Sequence, residues 1–251
     1  MMHPEGSNER NACEIGYEAI EYRQGSRQSQ LLFDSALALN PNYAWAYYEK
    51  SVPYFKRGLL NEGILLLNKA IELDPSSYLT YRAYWFYQHK SFRACIDDLE
   101  TFYNRDDSYL SYTPGGDLNM RIVLGMAYAE IGETQKAVES VLAGIEEYPA
   151  ADFAGLYDYH ALGVAYLKNA EFENAIVHLE KSVEHNPLFA DTYFYLGEAH
   201  AELGDIEKAK SYYSESLNRF RGEVEGGYSG YSFCFPVSSV QVESRLDSKT
   251  L

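Results

Sequence analysis

His178 and His185 stand seven residues apart, which on a helix is close to two turns and places both imidazoles on roughly one face. Paired imidazoles can begin a metal site, but no Asp or Glu accompanies them at a recognised ligand spacing, so both read as surface or half-buried helix residues. Cys13, Cys95 and Cys234 are odd in number and far apart. They make neither a disulfide framework nor a Cys-x-x-Cys metal signature, and two of them suit core positions. The glycine-rich stretch "GGYSG", Gly226 to Gly230, lacks the Lys and Ser or Thr of a phosphate loop and does not fit the G-x-S-x-G nucleophile turn. No catalytic set, cofactor or metal is therefore expected, and the chain reads as a non-enzyme.

What remains conspicuous is aromatic: 24 Tyr, 12 Phe and 2 Trp in 251 residues. Tyrosine brings a large apolar area with a polar tip, suited to helix packing and to interfaces. With 37 acidic against 21 basic side chains the formal charge is -16, which argues against a nucleic-acid backbone or an anionic membrane as partner. The densest basic stretch is "YFKRG", Tyr54 to Gly58, a solvated helix end. "MMHPEGSNER" carries no apolar run, and nowhere do 18 apolar residues follow one another, so neither a signal peptide nor a membrane span is expected and the expected compartment is cytoplasmic.

The elements that would hold the aromatic residues repeat. "FDSALALNP" at Phe33 to Pro41, "LNKAIELDP" at Leu67 to Pro75 and "LEKSVEHNP" at Leu179 to Pro187 share an apolar stripe, a small residue three positions in, and Asp or Asn before proline. A helix that stops abruptly reads this way, because proline restricts its predecessor and cannot continue the hydrogen-bond ladder. Upstream of Pro187 lie Leu162, Gly163, Tyr166, Ala175, Leu179 and Ser182; a shift of 34 residues gives Leu196, Gly197, His200, Ala209, Tyr213 and Ser216. Leu124, Gly125, Tyr128, Ala137, Val141 and Gly144 make the corresponding set before Pro149. Gly163 and Ala175 would permit close approach of two helices, with Leu162, Tyr166 and Leu179 filling the interior. His200 stands where Tyr128 and Tyr166 do, a packing substitute. Gly132 and Gly204 lie just past helical runs, as does Asn169.

These positions resemble the tetratricopeptide repeat family, whose 34-residue unit is a pair of antiparallel helices stacked into a right-handed superhelix. The resemblance implies an all-α solenoid of about twelve helices in six units: Arg10 to Tyr43, Ala44 to about Ser77, Ser76 to Tyr109, Leu118 to Ala151, Leu156 to Phe189 and Ala190 to Glu223. Residues 1–9 precede the array and 224–251 follow it. Insertions fall near 110–117, "LSYTPGGD", and 152–155, within "ADFAG". The first three units match less well: Gly16 and Tyr17, Lys50 and Ser51, and Arg82 and Ala83 replace the expected Leu-Gly, while Gly63 and Cys95 replace the small alanine.

The resemblance further implies a concave groove lined by the first helix of each unit, with a peptide or protein lying in it. Carried over position by position, the lining is Trp45, Tyr48, Val52 and Phe55; Thr80, Tyr84 and Tyr87; Ile122, Met126 and Ala129; Tyr157, His160, Val164 and Leu167; and Phe194, Glu198 and Ala201. The expected partner-binding residues are Trp45, Tyr48, Phe55, Tyr84, Tyr87, Ile122, Met126, Tyr157, His160 and Phe194. The Lys, Asn and Arg clamp by which one branch of the family holds chaperone carboxylates is missing: Glu14, Glu18, Val52, Thr80 and Tyr84 occupy its places. A partner with apolar anchors or basic residues fits better.

In the tail, Phe233, Phe235 and Val237 alternate before the pattern resets at Val240 and Val242, which favours an extended segment, with Pro236 against a central strand. No extra helix is expected to cover the last unit. The tail could cover that unit, lie in the groove, dock on another copy to give a homo-oligomer, or be disordered. The leading reading is a protein-binding scaffold. Its alternatives are a self-assembling structural protein and a regulatory module of an enzyme encoded elsewhere.

Overall fold

The structure, a computed structural model, describes residues 3–150, 153–222 and 234–247. Phe233, the "GGYSG" stretch and the start of the second insertion lie outside them. The described residues form thirteen helices: α1 (Asn8–Glu21), α2 (Arg27–Leu39), α3 (Ala44–Lys56), α4 (Leu60–Leu73), α5 (Pro75–Gln88), α6 (Phe92–Tyr103), α7 (Met120–Glu130), α8 (Thr134–Glu146), α9 (Asp158–Lys168), α10 (Phe172–His185), α11 (Ala190–Glu202), α12 (Ile206–Phe220) and α13 (Ser239–Asp247). Two compact units divide the chain, Met1–Trp85 with Thr101–Ser108 and Phe86–Glu100 with Tyr109–Leu251. In the first, α1 packs on α2 and α3 on α4; in the second the pairs are α7 with α8, α9 with α10 and α11 with α12. This is the helix-turn-helix stacking of an all-α solenoid.

The Asp or Asn before proline ends its helix as the sequence implies. Helices α2, α4 and α10 stop at Leu39, Leu73 and His185, and Asn40, Asp74 and Asn186 close them in non-helical conformations, each amide still donating four residues back. Pro75 then begins α5 at once, where its missing N–H is no loss, and Asp74 Oδ1 accepts the Ser77 amide at 3.2 Å. One aspartate thus closes one helix and opens the next.

Glycine sets the spacing within pairs of the second unit. A Cβ on Gly125 would come 2.6 Å from Val141 Cγ2 and 2.8 Å from the Ala137 carbonyl oxygen; on Gly163 it would come 2.5 Å from Leu179 Cγ, and on Gly197 2.5 Å from Tyr213 Cε1. Each glycine therefore meets the large residue sixteen positions on, one turn beyond the small alanine. Beyond α7 and α11, Gly132 and Gly204 take φ of 82° and 79°. After α9 the left-handed residue is Ala170, φ 60°, rather than Asn169. The Asn169 side chain is engaged otherwise, accepting from Thr134 and donating to Glu171.

The first insertion folds on itself: Thr113 N–H donates to Leu118 O, Met120 N–H to Ser111 O, and Tyr112 and Asn119 form an isolated antiparallel bridge. Asn119 caps α7 and reaches the Gly144 carbonyl at 2.8 Å.

The end of the chain departs from expectation. Residues 239–247 are helical, so a thirteenth helix does cover the last pair. Ser238 and Gln241 form the reason: Ser238 Oγ accepts the Gln241 amide while the Ser238 amide donates to Gln241 Oε1, a reciprocal capping box. Val242 is buried among Phe194, Ala209, Tyr213 and Leu217, with Leu246 packed one turn on. Arg245 meets Glu198 at 2.6 Å, and the Tyr213 hydroxyl donates to the same carboxylate.

Candidate functional site

In the first unit the site is built on α3 and the adjoining part of α5. Alternating large aromatics at helical spacing leave one face of each crowded with rings. Tyr48 stacks on Tyr78 at 5.0 Å and meets Tyr81 edge-on at 5.0 Å. Phe55 lies parallel to Trp85, 4.9 Å away, and Tyr84 meets the same indole edge-on at 5.3 Å. Trp45 packs separately, among Tyr17, Phe33 and Tyr43. Phe55 is buried, because Gly63 on α4 leaves room for its ring. Trp45, Tyr48 and Tyr84 are half-buried, each presenting part of its ring to solvent. Burial pushes the Tyr48 and Tyr81 hydroxyls above their ordinary range, so both stay neutral donors. Tyr81 and Trp85 belong to this face and escaped the carried-over positions. Their spacing of four residues, the same as Tyr48 to Val52, was the available signal.

In the second unit most of the projected lining is buried, with Leu167, Glu198 and Ala201 half-buried. Ile122 packs on Gly144 of α8, and Met126 is equally inaccessible. Tyr157 lies edge-on against Phe189 at 5.1 Å, Phe194 contributes to the cluster around Val242, and Tyr87 and His160 are buried as well. For His160 the cover is the tail. Helix α9 packs against α11, and Cys234, Phe235 and Val237 reach residues of both.

His160 Nε2 lies 3.2 Å from the Cys234 carbonyl, and His160 Nδ1 lies 3.0 Å from Thr192 Oγ1. A carbonyl only accepts, so Nε2 carries the hydrogen and Nδ1 accepts from Thr192. Thr192 in turn lies 3.1 Å from Ser182 Oγ and accepts its hydrogen. Complete burial holds the imidazole neutral, lowering its pKa to about 3. Three residues along the tail, the Val237 amide donates to Asp191 Oδ1 at 3.1 Å. Asp191 Oδ2 has no hydrogen-bond partner among the described residues, and burial raises this carboxyl to about 7. Lys168, at the end of α9, sits over the Phe235 ring at 5.6 Å. Cys234 and Phe235 are buried, whereas Pro236 faces solvent.

The other residues that could do chemistry are structural. His178 stacks on Tyr166 at 5.3 Å, His185 meets Tyr159 edge-on at 5.0 Å, and His200 stacks on Tyr212 at 5.3 Å. The described residues contain no group of three or more His, Cys, Asp or Glu able to hold a metal ion, and no helix among them is long and apolar enough to cross a membrane.

A tetratricopeptide repeat model matches residues 160–223, the stretch from α9 to the end of α12. Protein CTR9 homolog of Arabidopsis thaliana is 24% identical over 210 residues, 80% of this chain and 18% of that protein, so the chain spans less than a fifth of this relative's length. The crystal structure of PilW, a type IV pilus biogenesis factor, superposes with a TM-score of 0.64 at 15% identity, over 86% of this chain and 96% of that one. YrrB, described as a tetratricopeptide repeat protein with an unusual peptide-binding site, gives 0.58 at 17% identity over 74% and 91%. With the glycine spacing and the stacked helix pairs, these matches show that the chain has the fold of tetratricopeptide repeat arrays, and residues 160–223 match the family itself.

Proposed function

We propose that the protein is a non-enzymatic scaffold that binds a peptide or protein partner along its first helices, with Trp45, Tyr48 and Tyr84 as anchors in the first unit. The observation that carries this reading is the half-buried aromatic face of α3 and α5. Rings held by their neighbours lose little further freedom on binding, and partly buried Tyr and Trp concentrate interface energy. The net charge of -16 favours a ligand whose apolar anchors are flanked by Lys or Arg. The peptide-binding site reported for YrrB, whose fold is similar, is consistent with this use of the architecture. Self-assembly through the tail is less well supported, since its described part docks on its own chain.

The test is selection from a displayed library of short peptides, followed by affinity measurement on the wild type and on a Tyr48→Ala, Tyr84→Ala double variant. At least tenfold weaker binding by the variant, with unchanged helical circular dichroism, supports the aromatic face. Equal affinity for the selected peptides would refute it.

A further inference from the structure

We propose that the face formed by α9 and α11 is a backbone-reading peptide site for a short segment of the type small apolar residue, Phe, Pro, Val, kinked at the Phe, and that Cys234–Val237 is its internal occupant, displaceable by a partner segment of that chemistry. The inference rests on the chain being a peptide-binding scaffold and gives one of its faces a ligand class.

Both polar contacts go to the main chain of the occupant. His160 Nε2–H donates to the Cys234 carbonyl, and Asp191 accepts the Val237 amide three residues later. Such contacts are available to any peptide that follows the same kinked path and supply affinity without regard to side chain, which is left to pockets. Here the pockets bury Cys234 and Phe235, while Pro236 points away and fixes the backbone between the two polar contacts. Lys168 over the Phe235 ring adds a cation at the rim, which selects for an aromatic residue there.

A segment serving only to cover the end of the array needs none of this. Helix α13 does that work by conventional means, with Val242 among Phe194, Tyr213 and Leu217. A buried imidazole and a buried carboxyl group are expensive when unpartnered, and His160 Nε2 and Asp191 Oδ1, on neighbouring first helices, both find main-chain atoms of the same short segment, which makes them a recognition pair. The occupant is also held under strain. Phe235 takes φ 48°, a region that a bulky L-residue occupies only when its surroundings impose it.

The experiment uses the full chain and a fluorescein-labelled peptide with the sequence of residues 232–239, Ser-Phe-Cys-Phe-Pro-Val-Ser-Ser. Phe235→Asp in the protein evicts the internal segment and leaves α13 with its buried Val242. The peptide is expected to bind this variant at least tenfold more tightly than the wild type. A second peptide, N-methylated at the valine matching Val237, lacks the hydrogen that Asp191 accepts and is expected to lose at least tenfold in affinity without any change to the protein. Circular dichroism and thermal unfolding check that the variant is folded. No binding to the folded Phe235→Asp variant, equal binding to variant and wild type, or indifference to N-methylation would each overturn the proposal. So would a wild-type dimer by light scattering that Phe235→Asp dissolves, since a second copy would then supply the segment. Any of these results leaves the aromatic face of the first unit to its own test with Tyr48 and Tyr84.

Discussion

The imidazole of His160 and the main-chain carbonyl of Cys234 meet at 3.2 Å across 74 residues of sequence. Because that carbonyl can only accept, the ring is locked as the Nε2–H tautomer, with Thr192 donating to Nδ1. Nitrogen-15 chemical shifts of the His160 ring are expected to report a single neutral tautomer through mildly acidic pH. In Phe235→Asp, which withdraws the carbonyl, mixed tautomers and a titration nearer the ordinary histidine value are expected; an unchanged spectrum would show that the tail does not set the tautomer.

Asp191 and His160 impose opposite pH limits. The Asp191 pKa is raised from 3.8 to about 7 by burial, so its contribution to stability is fully present below 3.8 and is lost as pH rises through about 7. The His160 pKa is lowered from 6.5 to about 3, so its contribution is present above 6.5 and is lost as pH falls toward 3. The groups facing Asp191 are the Val237 amide, Tyr195 on its own helix, Tyr157 before α9, and Cys234. Asp191→Asn keeps an oxygen for the Val237 amide and removes the ionisation. It is expected to raise stability at pH 8 by about 1–3 kcal/mol more than at pH 5, where only part of the window from 3.8 to about 7 has been crossed. Urea unfolding at the two pH values measures this, and an equal effect at both would contradict the assignment.

The glycine contacts predict a large effect from a single methyl group. Gly163→Ala would place Cβ 2.5 Å from Leu179 Cγ and 3.1 Å from Leu179 N. A cost of about 1–3 kcal/mol is expected, since the backbone as well as the side chain must give way. Ala170→Gly should act in the other direction, relieving the left-handed strain of φ 60° at an exposed position by up to about 1 kcal/mol. Thermal melts of the two single variants test both signs.

Val242 tests the last helix. Val242→Asp places a carboxylate among Phe194, Tyr213 and Leu217, and its effect should be concentrated where α11, α12 and α13 meet. Hydrogen exchange is expected to show protection falling in α12 and α13 with α7 and α8 unaffected. Uniform loss along the second unit would argue that α13 is not a local cap.

Much of this architecture could be read from spacing. The Asp-Pro and Asn-Pro pairs located three helix ends, and the recurrence of Gly163 at Gly197 identified the close approaches, because both features are local and recur with the repeat. The thirteenth helix was hidden by Pro236 and by alternate valines that mimic a strand, although Ser238 and Gln241 spelled a capping box. Site residues were harder to assign. Tyr48 and Ile122 occupy comparable repeat positions, yet the first is half-buried and the second inaccessible, a difference that depends on Gly144 and other neighbours outside the repeating pattern. Asp191 carried no sequence signal at all. Its role comes from an amide 46 residues away that only folding brings to it.

That Cys234–Val237 belongs to the same chain as the α9 and α11 face has a consequence for any partner that competes for that face. A competitor carried on the same chain acts at a fixed effective concentration, independent of how much protein is present. Partners would then be filtered by a threshold: weak, incidental apolar segments are excluded at every protein concentration, and only a segment whose abundance or affinity exceeds that fixed internal standard gains entry.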